Sequence, residues 1–128
     1  MNKTITQFRW LVTMLLLVTA MAMPASTWAQ NTISPSKPSG GGTENSPYQI
    51  GTAAELYWFA ALVNGELGGE TQNASANAVL TADINCSSIT WTPIGFRYPY
   101  EGTFDGQGYT ISGLYFNDRN VDFVGLFG

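Results

Sequence analysis

Glu101 and Asp105 are the two carboxylates whose proximity in sequence first invites a catalytic reading, as the acid and base of a glycoside hydrolase. In an extended chain, four residues at about 3.3 Å each set them roughly 13 Å apart. Paired carboxylates cleave glycosidic bonds over roughly 5 to 9.5 Å. Asp105 precedes Gly106, and the sequence therefore assigns it to a turn. Asp83 would offer an oxygen to a calcium ion, but no Asp-x-Asp spacing surrounds it, and its expected role is a turn carboxylate that accepts backbone N–H groups. Cys86 has no basic neighbour to hold a thiolate, which predicts a small apolar filler rather than a nucleophile. Asn73-Ala74-Ser75 and Asn85-Cys86-Ser87 are N-glycosylation sequons, which matter only in a eukaryotic secretory route.

Composition narrows the chemistry further. The 128 residues contain no histidine, which removes Ser-His-Asp and Cys-His nucleophile systems and His-ligated zinc. A single cysteine cannot form an internal disulfide. Five Lys and Arg stand against nine Asp and Glu, and Lys3 and Arg9 belong to the first nine residues, so the remainder carries three cations against nine acids, a net −6. Such a surface lacks the basic footprint that nucleic acid or anionic lipid requires. The reading is a protein without catalytic residues, cofactor or metal, and without a nucleic-acid partner.

Aromatic side chains are the remaining functional candidates. Ten of the seventeen lie between Trp91 and Phe127, and Phe96-Arg97-Tyr98-Pro99-Tyr100 has the character of a loop. Exposed rings there would stack on sugar faces or anchor a protein. Tyr98, Tyr100 and Trp91 are the candidate ligand-binding residues; the competing role for them is packing against the helix and strands described next.

The elements that must position these rings begin after an export address. Lys3 and Arg9 form a charged leader, Trp10 to Met23 is a fourteen-residue apolar run broken only by Thr13 and Thr19, and Thr27 and Ala29 supply small residues at −3 and −1. Residues 1–29 read as a signal peptide cut between Ala29 and Gln30, too short to leave a stable membrane span. Residues 30–47, with three Pro, three consecutive Gly and four Ser, read as a flexible linker. Thr52 and Glu55 form a capping box, in which each side chain is expected to satisfy the other's backbone N–H. Leu56, Phe59, Ala60 and Val63 make one apolar stripe and Asn64-Gly65 is a stop, so a helix is predicted over about 53–64. From Ala78 onward short aromatic and β-branched runs alternate with Gly, Asn, Asp and Pro, the pattern of brief strands and tight turns.

Ile94-Gly95-Phe96 is echoed by Val124-Gly125 and Leu126-Phe127-Gly128, a step of 30 residues from Gly95 to Gly125 that suits a solenoid coil. Leu80-Thr81-Ala82-Asp83-Ile84, Trp91-Thr92-Pro93-Ile94-Gly95, the run from Gly102 to Leu114 and Val124-Gly125-Leu126-Phe127-Gly128, following Tyr48, Ile50, Glu55-Leu56 and Ala60 to Asn64, resemble the amino-terminal region of bacterial GLUG-repeat surface proteins. That resemblance implies a mainly β fold over residues 48–128, the start of a right-handed parallel β-helix with one capping helix, truncated at its carboxyl end. A small antiparallel β domain is the alternative, because the Asp105-Gly106 turn also suits a hairpin. It further implies an exported, structural and adhesive module at the cell surface or outside the cell, which contacts glycan or a host or cell-surface protein. Its apolar carboxyl edge would be covered by further coils or by self-association. The non-catalytic region of a larger secreted peptidase is one alternative. A polysaccharide lyase or hydrolase fragment is another, weakened by Arg97 and Arg119 being the only cations beyond the linker.

Overall fold

The computed structural model describes residues 33–87, 89–116 and 124–128. The signal peptide, the Ala29–Gln30 cleavage position and Arg119 lie outside the described residues. The folded unit contains a short strand β1 (Tyr48–Ile50), a helix α1 (Ala53–Asn64), and strands β2 (Ala78–Leu80), β3 (Ile84–Asn85), β4 (Phe104–Asp105) and β5 (Ile111–Ser112). One sheet has the order β1-β2-β4 and a second pairs β3 with β5. Every strand pair is parallel, with Tyr48 opposite Ala78, Ala78 opposite Phe104 and Ile84 opposite Ile111. Single parallel bridges join Thr90 to Tyr115 and Ile94 to Phe127.

These findings correct the expected fold class. The strands are only two or three residues long, a twelve-residue helix is the largest element, and no closed solenoid coil forms among the described residues. The fold is small and mixed, not a mainly β right-handed parallel β-helix. The antiparallel alternative fails as well, because Phe104 pairs with Ala78 and Ile111 with Ile84 rather than with each other across a hairpin. Phe104 and Ile111 each take a parallel partner from an earlier segment instead of each other, and the turn between them, in which Asp105 accepts from the Gln107 N–H at 2.9 Å, joins two different sheets.

The helix occupies the span its caps predict. Thr52 Oγ1 accepts from the Glu55 N–H at 3.2 Å, but Glu55 returns its bond one residue earlier than expected, to the Gly51 N–H at 3.1 Å, while the Thr52 hydroxyl donates to the same carboxylate. At the far end Gly65 takes φ 74°, and the Glu66 N–H reaches back to the Ala61 carbonyl at 2.8 Å, closing a Schellman turn. Leu56, Phe59 and Val63 are fully buried against Ile50, Leu80 and Ile94, and Trp58 and Leu62 are buried on the other flank. Each large apolar side chain removed from water this way contributes about 1.5–3 kcal/mol.

The segment expected to be a linker reaches the helix at Ala54 and Trp58. Pro38 and Gly42 are buried, the Ser36 N–H donates to Ala54 O at 3.1 Å, the Gln49 N–H to Ser39 O at 2.8 Å and the Asn77 N–H to Gly42 O at 2.8 Å. Lys37 Nζ lies 5.6 Å from the Trp58 ring centre and 2.8 Å from Glu70. Residues 36–47 are thus a strap fastened to α1 at Ser36 and Lys37 and to β1 and Asn77 from Ser39 to Gly42, rather than a flexible tether. Gly40 shows why composition misleads here: it sits at φ 101° with its α-carbon against the Pro47 carbonyl, where any Cβ would collide.

Candidate functional site

The loop from Gly95 to Tyr100 leaves the core at Ile94 and is held at its base by the last helical residue. Asn64 is 1% exposed; its Nδ2 donates to Pro93 O at 2.9 Å and its Oδ1 accepts from the Gly95 N–H at 3.1 Å. At the other end of the loop, the Glu101 N–H donates to Ala74 O at 2.8 Å. Arg97 Nε stands 3.5 Å from Glu66 just beyond the helix, an exposed pair worth little by itself.

On this frame the three candidate rings separate. Tyr98 is half exposed, with one ring edge beside Gly65. Tyr100 is half buried: its hydroxyl donates to Ala76 O at 2.7 Å, its ring meets the Phe59 edge at 5.9 Å, and Phe127 stacks on it at 5.7 Å with the planes 15° apart. Burial pushes its phenol up to about 12. Trp91 is a correction to the sequence reading, since it is 2% exposed, meets Tyr57 edge-on at 5.0 Å and donates its indole N–H to Gly125 O at 3.0 Å. A fully committed core residue offers no face to a ligand.

Two rings not among the three candidates are also exposed. Phe96 is 44% exposed and Phe127 43%. Phe127 is brought to the loop by the Ile94–Phe127 bridge and by its contacts with Tyr100 and Phe104, the second at 5.5 Å. The 30-residue echo between the Gly95 and Gly125 segments was the available signal for that pairing.

The other candidates are structural. Asp83 accepts from the Thr110 N–H at 2.8 Å, and Asn73 and Asn85 each accept from the N–H two residues on. Cys86 is buried, and burial pushes its thiol up, away from the reactive thiolate. A groove of about 440 Å³ lined by Glu44, Asn77, Val79, Thr103 and Asp105 runs along the sheet face. Asp105 is already engaged by the Gln107 N–H, and no group of three metal-ligating side chains occurs among the described residues.

Comparison with known proteins adds one relative to this geometry. No protein-family model matches the chain, and no solved structure matches it. Over 91 residues, 70% of this chain, it is 36% identical to a protein of Evansella cellulosilytica named as a Gly-rich membrane protein. Among the described residues no helix is long and apolar enough to cross a membrane. The chain spans about a tenth of the length of this curated relative.

Proposed function

We propose that the chain is an exported bacterial surface module that works by adhesion, with no catalysis of its own, and that it contacts glycan or protein through the aromatic loop. The observation that carries the proposal is the exposure of Phe96 and Tyr98 on a loop whose base is fixed by Asn64, and of Phe127 against Tyr100 of the same loop, each between 43% and 50% exposed. Large rings left in water on a fixed frame lose little further freedom on binding, which favours contact. The charged leader and apolar run at residues 1–23, the resemblance to GLUG-repeat surface proteins and the membrane-protein name of the relative all support placement at or outside the cell envelope.

The test is retention of the exported full-length product on glycan and cell-envelope protein arrays. Tyr98→Ala is expected to lower retention by about tenfold, the equivalent of one lost ring contact, with an unchanged circular dichroism spectrum. Equal retention by the parent and the variant on every array would remove the adhesive reading.

A further inference from the structure

Asn64-Gly65, the pair that ends α1, is also the one Asn-Gly dipeptide in the chain. Glycine has no side chain to crowd the nitrogen that follows the asparagine, so such a pair, when free to move, closes to a succinimide. The Gly65 main-chain nitrogen gives its proton to a base and bonds to Cγ of Asn64. The Cγ–Nδ2 bond breaks, and the amide leaves as ammonia with a proton returned from that base. Water then opens the ring at either carbonyl and leaves aspartate or isoaspartate at position 64. No oxidant or further reagent enters.

The fold locks both reacting groups. Asn64 is 1% exposed, and its bonds to Pro93 O at 2.9 Å and from the Gly95 N–H at 3.1 Å hold the carboxamide toward the base of the loop, away from its own main chain. The Gly65 N–H donates to Leu62 O at 3.3 Å, which engages the proton whose loss starts the reaction. Gln72 covers the pair: its side chain lies against Gly65 and its Nε2 donates to Val63 O at 2.9 Å. We propose that Asn64 is a deamidation site gated by the fold, which reacts when the end of α1 and the base of the loop open together and whose product no longer holds them closed. A carboxylate at position 64 has no hydrogen for the Pro93 carbonyl, and isoaspartate also lengthens the main chain by one carbon at the Schellman turn. Because the ammonia is lost, the conversion runs one way. The gate is independent of whether the loop binds a ligand.

The experiment incubates the exported full-length product at mildly alkaline pH, in native buffer and in guanidinium chloride beyond its unfolding transition, and follows the peptide containing residue 64 by mass spectrometry with isoaspartate detection. Conversion in denaturant that is suppressed about a hundredfold or more in native buffer is expected, since the reactive geometry is reached only in rare openings. Gly65→Ala, compared in denaturant, should convert more slowly, because its methyl group crowds the attacking nitrogen. In native buffer Gln72→Ala should convert about tenfold faster than the parent, and by a larger factor than its global unfolding constant changes, because the cover over Gly65 is lost. The converted fraction, separated by its added charge, should unfold at lower denaturant than the unconverted one. No conversion in denaturant, or equal rates with and without it, overturns the proposal. So does a Gln72→Ala rate that is unchanged or only follows global stability, which would remove the local gate, and so does a converted fraction with the parent's unfolding midpoint, which would remove the consequence.

Discussion

Asn64 and Pro93 are joined across the core by a 2.9 Å hydrogen bond from the Asn64 amide to the Pro93 carbonyl, and the same side chain accepts from the Gly95 N–H at 3.1 Å. One amide thus ties the end of α1 to both sides of Ile94, the residue from which the aromatic loop departs. Both partners are buried, so neither can turn to water if the amide is removed.

Asn64→Ala is accordingly expected to cost about 2–4 kcal/mol in urea unfolding, because a buried donor and a buried acceptor lose their partner together. Asn64→Asp keeps the acceptor but sets a carboxylate oxygen against the Pro93 carbonyl. Its penalty should be larger near pH 7 than near pH 4, where the protonated acid again has a hydrogen to donate. Equal penalties at both pH values would mean that the donor half of the contact contributes nothing.

The strap yields a second prediction. Gly40 at φ 101° leaves no room for a Cβ against the Pro47 carbonyl, so Gly40→Ala should destabilise the fold by more than about 1 kcal/mol and expose Trp58, read as a red shift of its fluorescence. Lys37→Ala should have a small effect that fades with added salt, since Lys37 and Glu70 are both partly exposed. If residues 36–47 were a loose tether, neither change would register.

How far the sequence reached depends on whether a residue's neighbours in space are also its neighbours along the chain. The helix was legible because Thr52, Glu55 and Gly65 act within a turn of where they stand, and the predicted and observed spans coincide. The strap was not, because Gly and Pro serve a flexible chain and a tight, packed one alike. Only the distant Pro47 carbonyl and Trp58 ring decide between the two. Trp91 was misread for the same reason, its indole partner Gly125 being 34 residues away. Strand direction could not be read from residue alternation, because strands of two and three residues are too short to show it, and parallel pairing was expected only through the family resemblance.

Alkaline pH should weaken the fold through Tyr100. Its phenol, ordinarily near 10, is pushed up to about 12 by burial, so the folded state holds its proton where the unfolded chain releases it. Stability from this group is complete below about pH 10 and is lost as pH rises toward 12. Tyr57 is raised in the same direction by burial. Unfolding monitored by circular dichroism between these pH values should show a steep fall for the parent and a shallower one for Tyr100→Phe. That variant starts about 1 kcal/mol lower, having lost the bond to Ala76 O. Parallel pH curves for the two proteins would place the alkaline sensitivity elsewhere.

Tyr98 and Tyr100 sit two residues apart on one loop and should nevertheless answer to different assays. Tyr98 is 50% exposed with no hydrogen bond required of it, so Tyr98→Ala is expected to shift stability by no more than about 0.5 kcal/mol. Tyr100 carries Phe127 on one face, meets Phe59 and binds the Ala76 carbonyl, so Tyr100→Ala should cost about 3 kcal/mol or more and disturb Phe127 with it. Retention on a surface should then fall in both variants for separate reasons. In Tyr98→Ala the contact is lost from a protein with an unchanged melting profile; in Tyr100→Ala the support beneath Phe127 is lost and the melting temperature drops. Tyr100→Phe, which keeps the ring and its stacking, should retain surface binding close to the parent's. A Tyr100→Phe protein that folds but no longer binds would show that the Tyr100 hydroxyl reaches the ligand rather than Ala76, and would reverse the roles assigned to the two tyrosines.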